Sequence, residues 1–201
     1  MTNGLLVALL AAWTTFALAA LVPGPNVICV TSSALLGGRM RGLRAAAGLA
    51  VATGLWALSG ALGLGAVLEA RPDLLPWLRV AGAAILAWLG ISMLRETGAA
   101  AGEAGREEAG GFAHGLVTGC ANPLNAFFWA SLASVVLQVG PKSRELVLYA
   151  VSCALLALLI YGAVALAVAS LPERPSGRAA GAARVLCGGA FIFLGGMLAG
   201  G

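Results

Sequence analysis

The sequence predicts an all-α membrane protein: six transmembrane helices forming two inverted three-helix repeats, with helices 1 and 4 broken. Three observations carry this. Of 201 residues, 60% are hydrophobic and only 10% charged, against roughly 25% charged in a soluble domain. The charges cluster, and the gaps between clusters match the length of about 20 helical residues that crosses a hydrocarbon core of about 30 Å. Finally, one apolar stretch in each half carries a proline–asparagine interruption.

The first span covers 4–33, in a stretch without a charged side chain from Met1 to Gly38. It does not read as a cleaved signal peptide, because it lacks a basic leader and its apolar run exceeds an h-region. Pro23-Gly24-Pro25-Asn26 interrupts it. Each proline removes a donor and clashes with the turn before it. At membrane depth a break must face protein or a wet cavity. A basic loop with Arg39, Arg41 and Arg44 is expected next, then an uncharged second span over 45–68. A short charged turn leads to the third span, 74–94, where Arg79 lies near enough to the interface to snorkel.

A small, polar, acidic linker follows at 95–111, expected to be flexible. The fourth span, 112–139, is interrupted at Asn122-Pro123. The fifth covers 146–171. The sixth, 185–200, is short and glycine-rich, and extends back to Ala179 if Arg184 snorkels. The linker thus separates a first repeat, 1–94, from a second, 112–201. Three helices per half force the second repeat to enter from the opposite side, as in many secondary transporters. The two breaks then lie at nearly one depth.

The loops after spans one, three and five carry Arg39, Arg41, Arg44, Arg95, Arg106, Arg174, Arg178 and Arg184. The opposite loops and helix ends carry Arg71, Arg79, Lys142 and Arg144. The positive-inside rule places the first set in the cytoplasm and both termini in the periplasm. The net charge of +4 is therefore topological and implies no nucleic-acid partner.

No Asp, Glu, Lys or Arg lies deep in any span. A zwitterionic substrate would be met by dipoles: free N–H groups where a helix restarts, free carbonyls where one ends. The candidate substrate-binding residues are Pro23, Gly24, Pro25, Asn26, Asn122, Pro123 and Asn125. Kinks capped by asparagine are the plain alternative, but two amide-flanked breaks at one depth favour a site. His114, the single histidine, reads as interfacial and without a role. No catalytic triad, metal cluster or phosphate loop is visible, so no enzyme and no cofactor are expected. G-x-x-x-G spacing, as at Gly115 and Gly119, permits a homodimer, but close packing inside one chain explains it equally.

Pro23-Gly24-Pro25-Asn26 with Gly38, Gly42 and Gly48, and Asn122-Pro123 with Phe127-Phe128-Trp129, resemble the two signatures of the lysine exporter family, the LysE/RhtB amino-acid exporters. The resemblance covers the whole chain. It implies efflux of amino acids or related small metabolites across the bacterial inner membrane, driven by an ion gradient whose ion is unknown. The chain departs from the family pattern in having Asn26 where an acid is common and Leu124 where a lysine is common. A second function class is a membrane thiol–disulfide carrier using Cys29 and Cys120, which flank the two breaks.

Overall fold

A computed structural model of the protein describes residues 3–20, 24–64, 67, 70–71, 73–95, 104–138, 140–171 and 177–200. Among these the regular structure is entirely helical. Helix α1 is Asn3–Ala20, α2 is Pro25–Ser59, α3 is Leu74–Arg95, α4 is Ala104–Ala121, α5 is Pro123–Leu137, α6 is Ser143–Ala169 and α7 is Gly177–Gly200. A short π-helical turn, Gly60–Leu64, extends α2. Two described helices, Pro25–Gly63 and Ser143–Ala169, are long and apolar enough to cross a membrane, and Gly4–Ala20 is a shorter apolar helix.

α2 is folded in two. Gly38 has φ 78° and ψ −175°, a conformation that side chains other than glycine's strongly disfavour. A Cβ on Gly42 would lie 2.8 Å from the Ala34 Cβ and 3.1 Å from its Cα. In a straight helix those positions would be about 12 Å apart. The first limb (25–37) therefore turns back at Gly38 onto the second limb (39–59). The basic loop expected after span one is this single-residue turn, and Arg39, Arg41 and Arg44 lie on the first turns of the second limb. A glycine with positive φ, Gly140, also ends the segment that follows the second break.

Other boundaries differ from expectation. α4 begins at Ala104, inside the stretch expected as linker; residues 96–103 lie outside the described residues. α7 begins at Gly177, even earlier than Ala179, so the sixth apolar stretch is a full 24-residue helix.

The second limb of α2 is the axis of the packing. It lies against α4 on one side and α6 on the other. Gly111 meets Arg41 and Arg44, Gly115 meets Ala45, and Gly119 meets Leu49 and Ala52. Both residue numbers rise together, so limb and α4 run parallel. Against α6 the order reverses: Gly42 faces Ala165 and Gly54 faces Ala154. α3 and α7 also pack antiparallel, with Gly90 at Gly188 and Ile192, and Leu94 at Gly188. Small residues let these backbones touch, as helices in lipid require. A Cβ on Gly48 would run into the Phe112 carbonyl, and one on Gly115 into the Ala45 carbonyl. Gly115 and Gly119 are thus spent inside the chain.

α1 docks on α5 and α6. Phe16 packs on Trp129 with ring centroids 5.1 Å apart, and Trp129 packs edge-on to Tyr149 at 6.3 Å. The Trp13 indole donates to Ser152 Oγ at 3.0 Å. Large apolar side chains such as Val147, Val151, Leu155 and Leu159 on α6 remain exposed, which suits contact with lipid tails. At the α2–α3 turn, Arg71 and Asp73 pair at 2.9 Å. Arg71 holds the Asp73 carboxyl below its usual range, so this exposed, well-screened contact exists at neutral pH and fades as acid protonates Asp73.

Candidate functional site

The first break is an uncapped helix start. Pro23 lies outside the described residues. Gly24 is the N-cap of α2, extended at φ −158° and ψ −173°, and no side chain caps it. Its carbonyl accepts from Ile28 N–H at 3.0 Å. Pro25 has no donor. Helix geometry therefore leaves the Asn26 and Val27 N–H groups without an intrahelical acceptor, at the positive end of the dipole. Asn26 Nδ2 donates to Tyr161 Oη on α6 at 3.2 Å. Asn26 Oδ1 is buried and has no partner among the described residues.

The second break is closed by protein. Asn122 is buried between α4 and α5, and Pro123 opens α5. In an unbroken helix the Gly119 carbonyl would bond the N–H four residues on, which Pro123 lacks. Two side chains take that carbonyl instead: Asn125 Nδ2 at 2.9 Å and the Trp56 indole N–H at 3.0 Å. Asn125 N–H donates to the Asn122 carbonyl at 3.0 Å. The Asn125 amide group acts here as a cap, the plainer of its two expected roles.

Relative depth follows from the packing. The first limb of α2 is antiparallel to its second limb, which is parallel to α4; the first limb and α4 are therefore antiparallel. Cys29 and Thr118 touch across them. Asn26 lies three residues to one side of Cys29 and Asn122 four residues past Thr118 on that same side. At about 1.5 Å per residue their levels differ by about 1.5 Å. By the same count Ser33 and His114 share a level on the other side.

Sequence reasoning missed several residues here. Tyr161 is 2% exposed and bonded to the first break. The available signal was a hydroxyl in an otherwise apolar run, since a buried Tyr usually finds a polar partner. Trp56 caps the second break from α2, a contact that no local pattern reveals. His114 Nε2 is buried and unpartnered among the described residues, and its ring sits edge-on to Phe191 of α7 at 5.9 Å.

The thiol-carrier expectation loses its geometric basis. Cys29 is buried against Thr118, whereas Cys120 is exposed. Two residues separate Thr118 from Cys120, about 200° around the helix, so the two thiols face different ways. Among the described residues no three His, Cys, Asp or Glu side chains gather. The chemistry of the site is that of amides, hydroxyls and helix dipoles.

A helical, apolar chain with an uncapped helix break has the character of a membrane protein. The chain belongs to the LysE type translocator family, whose model matches residues 17–200. It is similar to an uncharacterised membrane protein of Pseudomonas aeruginosa, PA4757, with 40% identity over 75 residues, covering 37% of this chain and 35% of that one. It is also similar to the chemotactic transduction protein ChpE of Pseudomonas aeruginosa, with 33% identity over 108 residues, covering 52% of this chain and 53% of that one. The matches thus span about a third to a half of the length of these curated relatives. No solved structure matches the chain.

Proposed function

We propose that the protein exports amino acids or related small amphoteric metabolites across the inner membrane, with the break at Pro25 as the substrate site. One observation carries this reading: the start of α2 has no side-chain cap and lies beside the unpartnered, buried Asn26 Oδ1. The two backbone donors and the dipole suit a carboxylate. An ammonium group would be met by Asn26 Oδ1. A zwitterion offers both groups a few ångströms apart. Asn122, between α4 and α5, closes the site at nearly the same level, while Pro123 and Asn125 shape the second break.

In this reading the chain crosses the membrane six times as two inverted repeats, 1–94 and 112–201, joined through 95–111. The opposed directions of α3 and α7, and the glycine turns after both breaks, support it. The basic residues around Gly38 face the cytoplasm and both termini the periplasm.

The test is a comparison of compounds in the medium of overexpressing and deletion cells, repeated with Asn26→Leu. One or a few amphoteric compounds should accumulate outside overexpressing cells. Asn26→Leu keeps a similar volume and removes the amide, so it should insert, melt like the parent in detergent and fail to export. Identical media from overexpressing and deletion cells would refute export. Full export by a stable Asn26→Leu protein would refute the site.

A further inference from the structure

Of the buried side-chain atoms that lack a hydrogen-bond partner among the described residues, Asn26 Oδ1 and His114 Nε2 lie along one seam, with Thr118 between them. Thr118 follows His114 by one helical turn on the same face of α4. Its hydroxyl lies against the Cys29 thiol, which also contacts Ser33. Cys29 is near Tyr161, and Tyr161 holds Asn26. Ser33 stands at the level of His114. These polar side chains form a track of contacts from Asn26 to Thr118 and Ser33 between the first limb of α2 and α4, with His114 one turn before Thr118. It starts at the break and leads toward His114, close to the turn at Gly38.

A buried polar atom left without a partner costs about 1–3 kcal/mol, and in lipid there is no bulk water to relieve it. Two such atoms on one seam call for a function. Along this track the imidazole is the only group suited to gaining and losing a proton near neutral pH. Its surroundings can be named. From α2, Arg41 lies within electrostatic reach of the ring, where its positive charge favours the neutral form, and Arg41 and Arg44 pack on Gly111, one turn earlier. From α7 it meets Phe191. Among the described residues no carboxylate is placed against it.

We propose that His114 is a proton-binding site at the end of this track, and that it carries the proton exchanged for exported substrate. The neutral ring accepts one proton at Nε2 and becomes imidazolium. It returns to the neutral form by giving that proton up at the end of the track beside the Gly38 turn. The exchange partner rests on the exporter reading above; the proton site rests on the geometry of the seam.

Because His114 is the single histidine, a sample labelled with 15N-histidine and lacking a histidine tag reports this ring alone. Its Nε2 signal should move between the unprotonated and protonated positions within about pH 5 to 8. An equimolar mixture of neutral L-amino acids should shift the midpoint. In proteoliposomes loaded with a pH-sensitive dye, adding that mixture outside should make the lumen more alkaline with the parent protein. His114→Gln should lose this proton movement, while Asn26→Leu should lose exchange of labelled amino acids as well. A ring that stays neutral throughout, in the parent protein, overturns the proposal even if His114→Gln does not fold. Parent-like proton movement in His114→Gln also overturns it and leaves the substrate site standing. Exchange that survives Asn26→Leu overturns the substrate site alone.

Discussion

The two breaks differ at the level of single hydrogen bonds. The Gly119 carbonyl, freed by Pro123, has two donors, Asn125 Nδ2 and Trp56 Nε1. Either one suffices to keep it paired. Asn125→Ala and Trp56→Phe should each cost only about 0.6 kcal/mol, the average for a polar contact in a membrane bundle. Together they leave a carbonyl unpaired in a membrane interior, worth about 1–3 kcal/mol. The double variant should therefore melt lower than the sum of the singles predicts, as a thermal melt in detergent would measure; strict additivity would mean that the carbonyl finds another donor. Asn26 presents the opposite case, because one end of its amide is held by Tyr161 and the other has no partner among the described residues.

At the scale of elements, α2 is folded by one glycine. Gly38 at φ 78° lets the first limb reverse within a single residue and lie along the second. Gly38→Ala forces a side chain into that conformation, at a cost of about 1–3 kcal/mol, and strains the pairing of Ala34 with Gly42. A lower melting temperature is expected, with export reduced in proportion to folded protein. A Gly38→Ala protein as stable as the parent would mean that the turn has other ways to form. The prolines and asparagines of both breaks, and the clusters of arginine, were legible in the sequence. The sharpness of this turn was not, because glycine before a basic residue reads equally as a loop several residues long.

At the scale of the molecule, orientation is the next quantity to measure. The proposed arrangement makes a periplasm-dependent reporter active when fused after Gly201, and a cytoplasm-dependent reporter active when inserted near Gly105. The reverse pair of results would invert the assignment of every loop. It would also place His114 toward the periplasm, since it lies near the basic turn.

Local chemistry determined much of this protein from its sequence alone. Apolar run length set which stretches become helices, because lipid offers no other partner for backbone groups. Proline and asparagine marked where two of them break. The resemblance at those breaks pointed to the family that the comparisons then established. What only the tertiary structure decided was which polar atoms keep a partner. Gly119, Asn125 and Trp56 meet because α2 and α4 run parallel in contact, and Tyr161 reaches Asn26 because α6 packs on α2. The His114 ring meets Phe191 because α7 packs beside α4 there. Each of these depends on contacts between residues far apart in the chain, and helical periodicity carries no record of which face meets which neighbour.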